Sequence, residues 1–183
     1  ADLWRAQKHK GILHYIAFEN SPVKIEDLTR HYQSLNLESS SWLLRNYPLP
    51  LQTSYTLWFG DTVRLSLIFD DAISALGNMT SPVDAWYLDG FSPSSNSDLW
   101  NKKLYGKMFD LSKPGTTLST YTVAGAVRQG LGHAGFNVEK IKGFGNKAEM
   151  LTGKKPGHWV AEKSVRSKVA VLGSGVAGSS CVD

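Results

Sequence analysis

Four acidic residues stand where strand-forming runs end. Glu19 follows LHYIAF (Leu13 to Phe18), Asp70 and Asp71 follow VRLSLIF (Val63 to Phe69), and Asp89 follows AWYL (Ala85 to Leu88). A carboxylate in such a position accepts hydrogen bonds from two neighbouring donors, which is what a nucleotide-binding sheet offers to ribose hydroxyls. Glu19 suits that role, against the plainer reading of a solvated loop acid. Asp71, with Asp70 as its near alternative, suits contact with an adenine amino group, because its strand leads through a helix into the next acid-bearing strand. Asp61 competes for that role but sits in a hairpin turn at the other end of the same strand.

DAWYLDGFSP (Asp84 to Pro93) is the most specific of these stretches. A strand delivers Asp89; Gly90 follows for a tight turn, Phe91 adds an aromatic face and Pro93 stiffens the loop. Methyl transfer to an amine needs the nitrogen held neutral and in line with the methyl group. Carboxylate and exposed carbonyl oxygens accept the amine's N–H bonds, and an aromatic face favours the passing positive charge. Asp89 and Phe91 are therefore the catalytic candidates, with Asp89 and Gly90 also bordering the cofactor. The alternative is an ordinary strand-ending turn.

A second nucleotide-type motif closes the chain. In KVAVLGSGVAG, Gly173, Gly175 and Gly178 have GxGxxG spacing after an apolar run, a pattern that lets a backbone approach a pyrophosphate. Five residues follow Gly178, so the motif is not expected to hold a dinucleotide by itself.

The elements that must position these groups alternate. Leu13 to Phe18 reads as a buried strand, and Lys24 to Leu35 as a helix with Ile25, Leu28, Tyr32 and Leu35 on one face. Ser40 to Tyr47 reads as a short helix stopped by Pro48 and Pro50. Tyr55 to Phe59 and Val63 to Phe69 flank Gly60-Asp61-Thr62 as a hairpin. A helix toward Leu76, the strand Ala85 to Leu88, a helix Leu99 to Leu111, a strand Thr116 to Tyr121 and a helix Gly125 to His133 follow. Two strands around Gly143-Phe144-Gly145 come last. Strands alternating with helices imply a parallel sheet covered on both faces, with a terminal antiparallel hairpin and ligands beyond the carboxyl ends of the strands.

Composition bounds the function. The 183 residues are 42% hydrophobic and 20% charged, values of a chain able to bury a core. A single cysteine, Cys181, rules out a disulfide framework, no Cys/His cluster has zinc spacing, and no apolar run is long enough to span a membrane. A cytoplasmic monomer without metal is the expectation. From Glu139 to Lys168, eight basic residues face three acidic ones, a segment able to attract phosphates or simply to be solvated.

Taken together, HYIAFENSP, LSLIFDDA, DAWYLDGFSPSSNSDLW, LSKPGTTLSTYTVAGAVRQGL, HAGFNVEKIKGFGNKAEML and KVAVLGSGVAG resemble the bifunctional tRNA 5-methylaminomethyl-2-thiouridine biosynthesis (MnmC) family over nearly the whole chain. The resemblance implies a Rossmann-like α/β methyltransferase that uses S-adenosylmethionine to methylate an aminomethyl group on a tRNA wobble uridine, followed by an FAD-dependent oxidoreductase. It implies that Glu19 and Asp71 are the cofactor acids, favouring Asp71 over Asp61, and that Asp89, Gly90 and Phe91 form the loop near the transferred methyl. It further implies a methyltransferase domain over 1–155, incomplete at its N-terminus and lacking the first strand and its glycine-rich loop. A linker over 156–167 and the start of a truncated FAD-binding Rossmann domain over 168–183 would follow. On this reading the chain is an impaired fragment whose alternatives are a noncatalytic tRNA-binding piece or an oxidoreductase fragment.

Overall fold

The computed structural model describes residues 1–7, 11–32, 35, 37–48, 53–90, 92–93, 99–143, 145–159 and 168–172, the last five by their backbone. Helix α1 (Asp2–Ala6) precedes strand β1 (Leu13–Phe18), and helices α2 (Ile25–Tyr32) and α3 (Glu38–Asn46) lead to the hairpin β2 (Ser54–Phe59) and β3 (Val63–Ile68). Then come α4 (Ala72–Gly77), β4 (Val83–Leu88), α5 (Lys102–Leu111), β5 (Ser112–Thr120), α6 (Gly125–His133), β6 (Asn137–Lys142), β7 (Glu149–Lys154) and β8 (Lys168–Leu172).

Among the described residues the strands form one eight-stranded sheet in the order β2-β3-β1-β8-β4-β5-β7-β6. β3, β1, β8, β4 and β5 run parallel, whereas β2 is antiparallel to β3 and β7 is antiparallel to both β5 and β6. This is the expected Rossmann-like sheet with a C-terminal hairpin. β8 joins the same sheet: the resemblance assigns Lys168 onward to the start of a second domain, and Lys168–Leu172 lie between β1 and β4, at the centre of this sheet. Leu172 pairs with Phe18 on one side and Leu88 on the other.

Gly60 turns the β2–β3 hairpin with φ +60°, a conformation that favours glycine. The pleat then sends alternate residues to opposite faces. Ile16, Phe18, Trp86, Leu88 and Leu118 meet α4, α5 and α6 in the main core. On the other face Leu13, Val63 and Phe59 pack with Trp4 and Trp42 of α1 and α3.

Several boundaries differ from the periodicity by a few residues, two of them for a clear local reason. α5 starts at Lys102, not Leu99, because the Asn101 side chain accepts from the Lys103 and Leu104 backbone N–H groups and caps the first turn. β5 starts at Ser112: Lys113-Pro114-Gly115, expected to lie before the strand, forms an irregularity within it, where pairing jumps from Val83–Ser112 to Ala85–Thr117. Ser112 ties helix to strand, since its hydroxyl donates to the Met108 carbonyl (2.7 Å) and accepts from the Trp86 indole (2.8 Å).

Tyr105 in α5 is buried at 2% exposure, and its hydroxyl finds no hydrogen-bond partner among the described residues. Burial pushes its phenol up to about 12. Because the folded state holds this proton more tightly than the unfolded chain does, the resulting stability is present below pH 10 and is lost as pH rises through about 12. Tyr105→Phe is expected to be neutral or stabilising at pH 7, since it removes a buried unpaired hydroxyl. It should also flatten the alkaline fall in stability; urea unfolding of both proteins between neutral and alkaline pH checks this.

Candidate functional site

The carboxyl ends of the five parallel strands form one edge of the sheet, and the predicted acids all reach it. Glu19 ends β1, Asp70 and Asp71 follow β3, and Asp89 ends β4. Glu19 and Asp71 therefore belong to neighbouring strands, whereas Glu19 and Asp89 flank β8 at two strand spacings, about 10 Å. Asp61 lies in the β2–β3 turn at the opposite edge.

Each acid has local duties. Glu19 Oε1 accepts from the Ser21 backbone N–H at 2.8 Å, and its backbone N–H donates to the Ile68 carbonyl at 2.9 Å, fixing it to the end of β3. It also borders an apolar cavity of about 160 Å³ between the β1–β3 face and helices α2 and α3. Asp71 is the N-cap of α4, its Oδ1 accepting from Ser74 N–H at 3.0 Å, and Asp70 Oδ1 accepts from Asp71 N–H at 2.7 Å. The capping role explains why two acids stand together before this helix. A carboxylate has lone pairs to spare, so capping leaves Asp71 able to accept from a ligand.

Asp89 is the buried member of the set, at 7% exposure. Gly90 beside it is not in the left-handed conformation that the sequence reading of a tight turn would favour. Its small size matters for a different reason: a Cβ there would overlap the Leu99 side chain, which packs against the core. Phe91 lies outside the described residues, as do Gly173, Gly175 and Gly178.

Two tyrosines complete the edge, and the sequence reading singled out neither. Tyr121, one residue past β5, donates its hydroxyl hydrogen to the Gly90 carbonyl at 2.7 Å. Its phenol is pushed up by burial and then by the negative charge of Asp89, so it remains a donor at neutral pH. No local pattern in STYTVAG carried this signal, because it depends on the pairing of β5 with the strand that ends at Asp89. Lys147 Nζ lies 5.4 Å from the Tyr121 ring centroid. Tyr47 sits near Glu19; its phenol is raised by burial first and by Glu19 and Tyr32 next, against a lowering hydrogen bond from the Val23 backbone.

A polar cavity of about 250 Å³ lies elsewhere, beside Asp84, Lys113, Lys154 and Trp159. There Lys113 pairs with Asp84 at 2.6 Å and sits 4.2 Å from the Trp159 ring. Asp84 is on β4 five residues before Asp89, so this cavity belongs to the amino-terminal part of the strand. Among the described residues no group of three or more His, Cys, Asp or Glu could hold a metal ion, and no helix is long and apolar enough to cross a membrane.

The edge thus offers acids to sugar hydroxyls and an amine, next to a carbonyl whose position is fixed. These parts fit S-adenosylmethionine and an amine acceptor: Glu19 could take the ribose, Asp71 or Asp70 the adenine, and Asp89 the reacting end. Comparison with known proteins agrees in class. A family model described as S-adenosyl-L-methionine-dependent methyltransferase matches residues 37–156. The tRNA 5-methylaminomethyl-2-thiouridine biosynthesis bifunctional protein MnmC of Pseudoalteromonas translucida (strain TAC 125) is 42% identical over 187 residues, covering 93% of this chain and 28% of that protein. The protein of the same name from Maricaulis maris (strain MCS10) is 40% identical over 186 residues, covering 98% and 32% respectively. The chain spans about a third or less of the length of these curated relatives. Among solved structures, MNMC2 from Aquifex aeolicus matches with a TM-score of 0.58 at 18% identity, covering 86% of this chain and 59% of that one, a likeness of fold. With more than half of its length matched by the family model, the chain belongs to the S-adenosyl-L-methionine-dependent methyltransferase family.

Proposed function

We propose that this chain is the methyltransferase unit of a tRNA-modifying enzyme that methylates the aminomethyl group of 5-aminomethyl-2-thiouridine at the wobble position. The observation that carries the reading is the pairing, at one strand end, of the buried Asp89 carboxylate with a Gly90 carbonyl pinned by Tyr121 at 2.7 Å. The names of the curated relatives support the substrate class.

S-adenosylmethionine, when bound, supplies an electrophilic methyl group on a sulfonium. The chain's own task is to present the acceptor. Asp89 accepts one N–H of the amine, and the Gly90 carbonyl, with one lone pair engaged by Tyr121, accepts another with its second. Held by two acceptors, the neutral amine has its own lone pair aimed away from them; because a carboxylate favours the ammonium form, the proton that the amine carries at neutral pH leaves to water before transfer. Because Tyr121 fixes the carbonyl before substrate arrives, orientation is set in advance. Glu19 is assigned to the ribose hydroxyls and Asp71, with Asp70 beside it, to the adenine amino group.

The basic segment contributes less than its composition suggests. Lys155 donates to the Phe109 and Ser112 carbonyls at 2.7 and 2.9 Å, and Lys140 pairs with Glu149 at 2.9 Å. Lys147, beside Tyr121, is assigned to a tRNA phosphate near the reacting uridine.

Asp89→Ala should reduce methyl transfer to tRNA on the order of 10²-fold or more, with affinity for S-adenosylhomocysteine changed only a few-fold. Labelled-methyl incorporation and titration calorimetry read the two quantities, and loss of folding or of cofactor affinity would make Asp89 structural. Tyr121→Phe should lower kcat about tenfold, the equivalent of one hydrogen bond, while leaving the KM for cofactor unchanged. A higher cofactor KM at constant kcat would place Tyr121 in binding. If the unaltered chain binds tRNA but transfers no methyl group, it is a noncatalytic binding module.

A further inference from the structure

Pairing between β4 and β5 jumps from Val83–Ser112 to Ala85–Thr117, and the extra residues of such an irregularity re-aim the side chains they carry. Lys113 is one of them, with its Nζ 2.6 Å from Asp84 Oδ1 of β4 and 4.2 Å from the Trp159 ring centroid. The segment after β7 is clipped alongside, because Gly115 N–H donates to the Lys155 carbonyl at 2.9 Å and Lys155 N–H to the Thr116 carbonyl at 2.8 Å. Gly157, with φ +100°, permits this approach: a Cβ there would stand 3.1 Å from the Pro114 Cβ, in a conformation that favours glycine. The polar cavity of about 250 Å³ is lined by both segments.

Its charges do not balance. The Lys113 side chain is 10% exposed, and of its three N–H donors Asp84 takes one, with no second acceptor among the described residues. Lys154 and His158 also line the cavity, and neither side chain has a hydrogen-bond or ion-pair partner among the described residues. Among those residues Asp84 is the one carboxylate in the lining, and Trp159 is 39% exposed. Ammonium groups take phosphate oxygens, and an exposed indole gives a base a face to stack on. At about 250 Å³ the cavity is smaller than the roughly 300 Å³ from which pockets for whole drug-sized ligands run, so a phosphate enters it while the base lies outside on the indole.

We propose that this cavity is a nucleotide site separate from the cofactor edge, taking a phosphate on Lys113 and Lys154 and the attached base on Trp159. Asp84 lies five residues before Asp89 on β4, about 17 Å at strand spacing, which places the site at the opposite end of the strand. None of these groups takes part in the methyltransferase reading, so the site stands or falls apart from it. A mononucleotide free in solution and one nucleotide of an RNA strand share the chemistry that would be recognised.

Titration calorimetry of the 183-residue chain with uridine monophosphate, and with tRNA at several salt concentrations, tests it. Uridine monophosphate should bind, and Lys154→Gln and Trp159→Ala should each weaken it about tenfold at an unchanged thermal midpoint, whereas Asp89→Ala leaves its affinity unchanged. If the source is an RNA strand, both variants also weaken tRNA binding, and Lys154→Gln lowers the salt slope by about one. Unchanged tRNA binding beside weakened mononucleotide binding assigns the site to the free nucleotide. Weakening by Asp89→Ala alone would put the nucleotide at the catalytic edge and overturn the site. Binding of neither probe, or no effect of Lys154→Gln and Trp159→Ala on either, would overturn it as well, and each of these results leaves the methyltransferase reading standing.

Discussion

Backbone hydrogen bonding at the centre of the sheet governs everything around it. β1 has β3 on one flank and β4 has β5 on the other, and the remaining flank of each turns toward a gap one strand wide. Central strands of a parallel sheet lie beneath helices, so N–H and C=O groups left unpaired there carry the desolvation cost of a lost hydrogen bond at each position. β8 fills the gap with pairs running from His14–Lys168 to Phe18–Leu172 and from Ala85–Val169 to Leu88–Leu172. Without it the sheet is two separate ribbons, and only the shared helical core relates the acids of β1 and β4 to each other.

The site is a consequence of that registration. Parallel strands in register bring their carboxyl ends to one line, so Glu19, Asp70, Asp71 and Asp89 converge although 70 positions separate the first from the last. The outer strands then supply control. β5 brings Tyr121 against the Gly90 carbonyl, and the Asp89 charge helps to keep that phenol protonated. Structural duties overlap with the proposed chemical ones: Asp71 begins α4 and Glu19 ties β1 to β3, so their carboxylates are oriented by the fold before any ligand enters.

Much of this was legible in the residues. Periodicity located β1 and α6 at their ends, and Gly60 marked the β2–β3 turn because only a residue without Cβ adopts its φ of +60° without strain. Placing Asp61 and Asp71 at opposite ends of β3 followed from the same hairpin. Side chains acting at a distance of one or two positions were harder to read: the Asn101 cap moved the start of α5, and the irregularity at Lys113-Pro114-Gly115 lies inside β5 instead of before it. Hardest of all was strand order. Which strand lies beside which depends on contacts far apart in sequence, so neither Tyr121 beside Gly90 nor β8 between β1 and β4 has a local signal. The basic segment needed the structure for a related reason, since composition does not reveal that Lys155 turns inward onto two carbonyls.

The central claim is that Lys168–Leu172 bridges the two halves of the sheet, and nuclear magnetic resonance tests it without ligand or substitution. Cross-strand amide-to-Hα contacts should link Ala170 to the Ile16 region of β1 and, in the same spectrum, to the Trp86 region of β4. Contacts from Ile16 directly to Trp86, with none from Ala170 to either strand, would contradict the account.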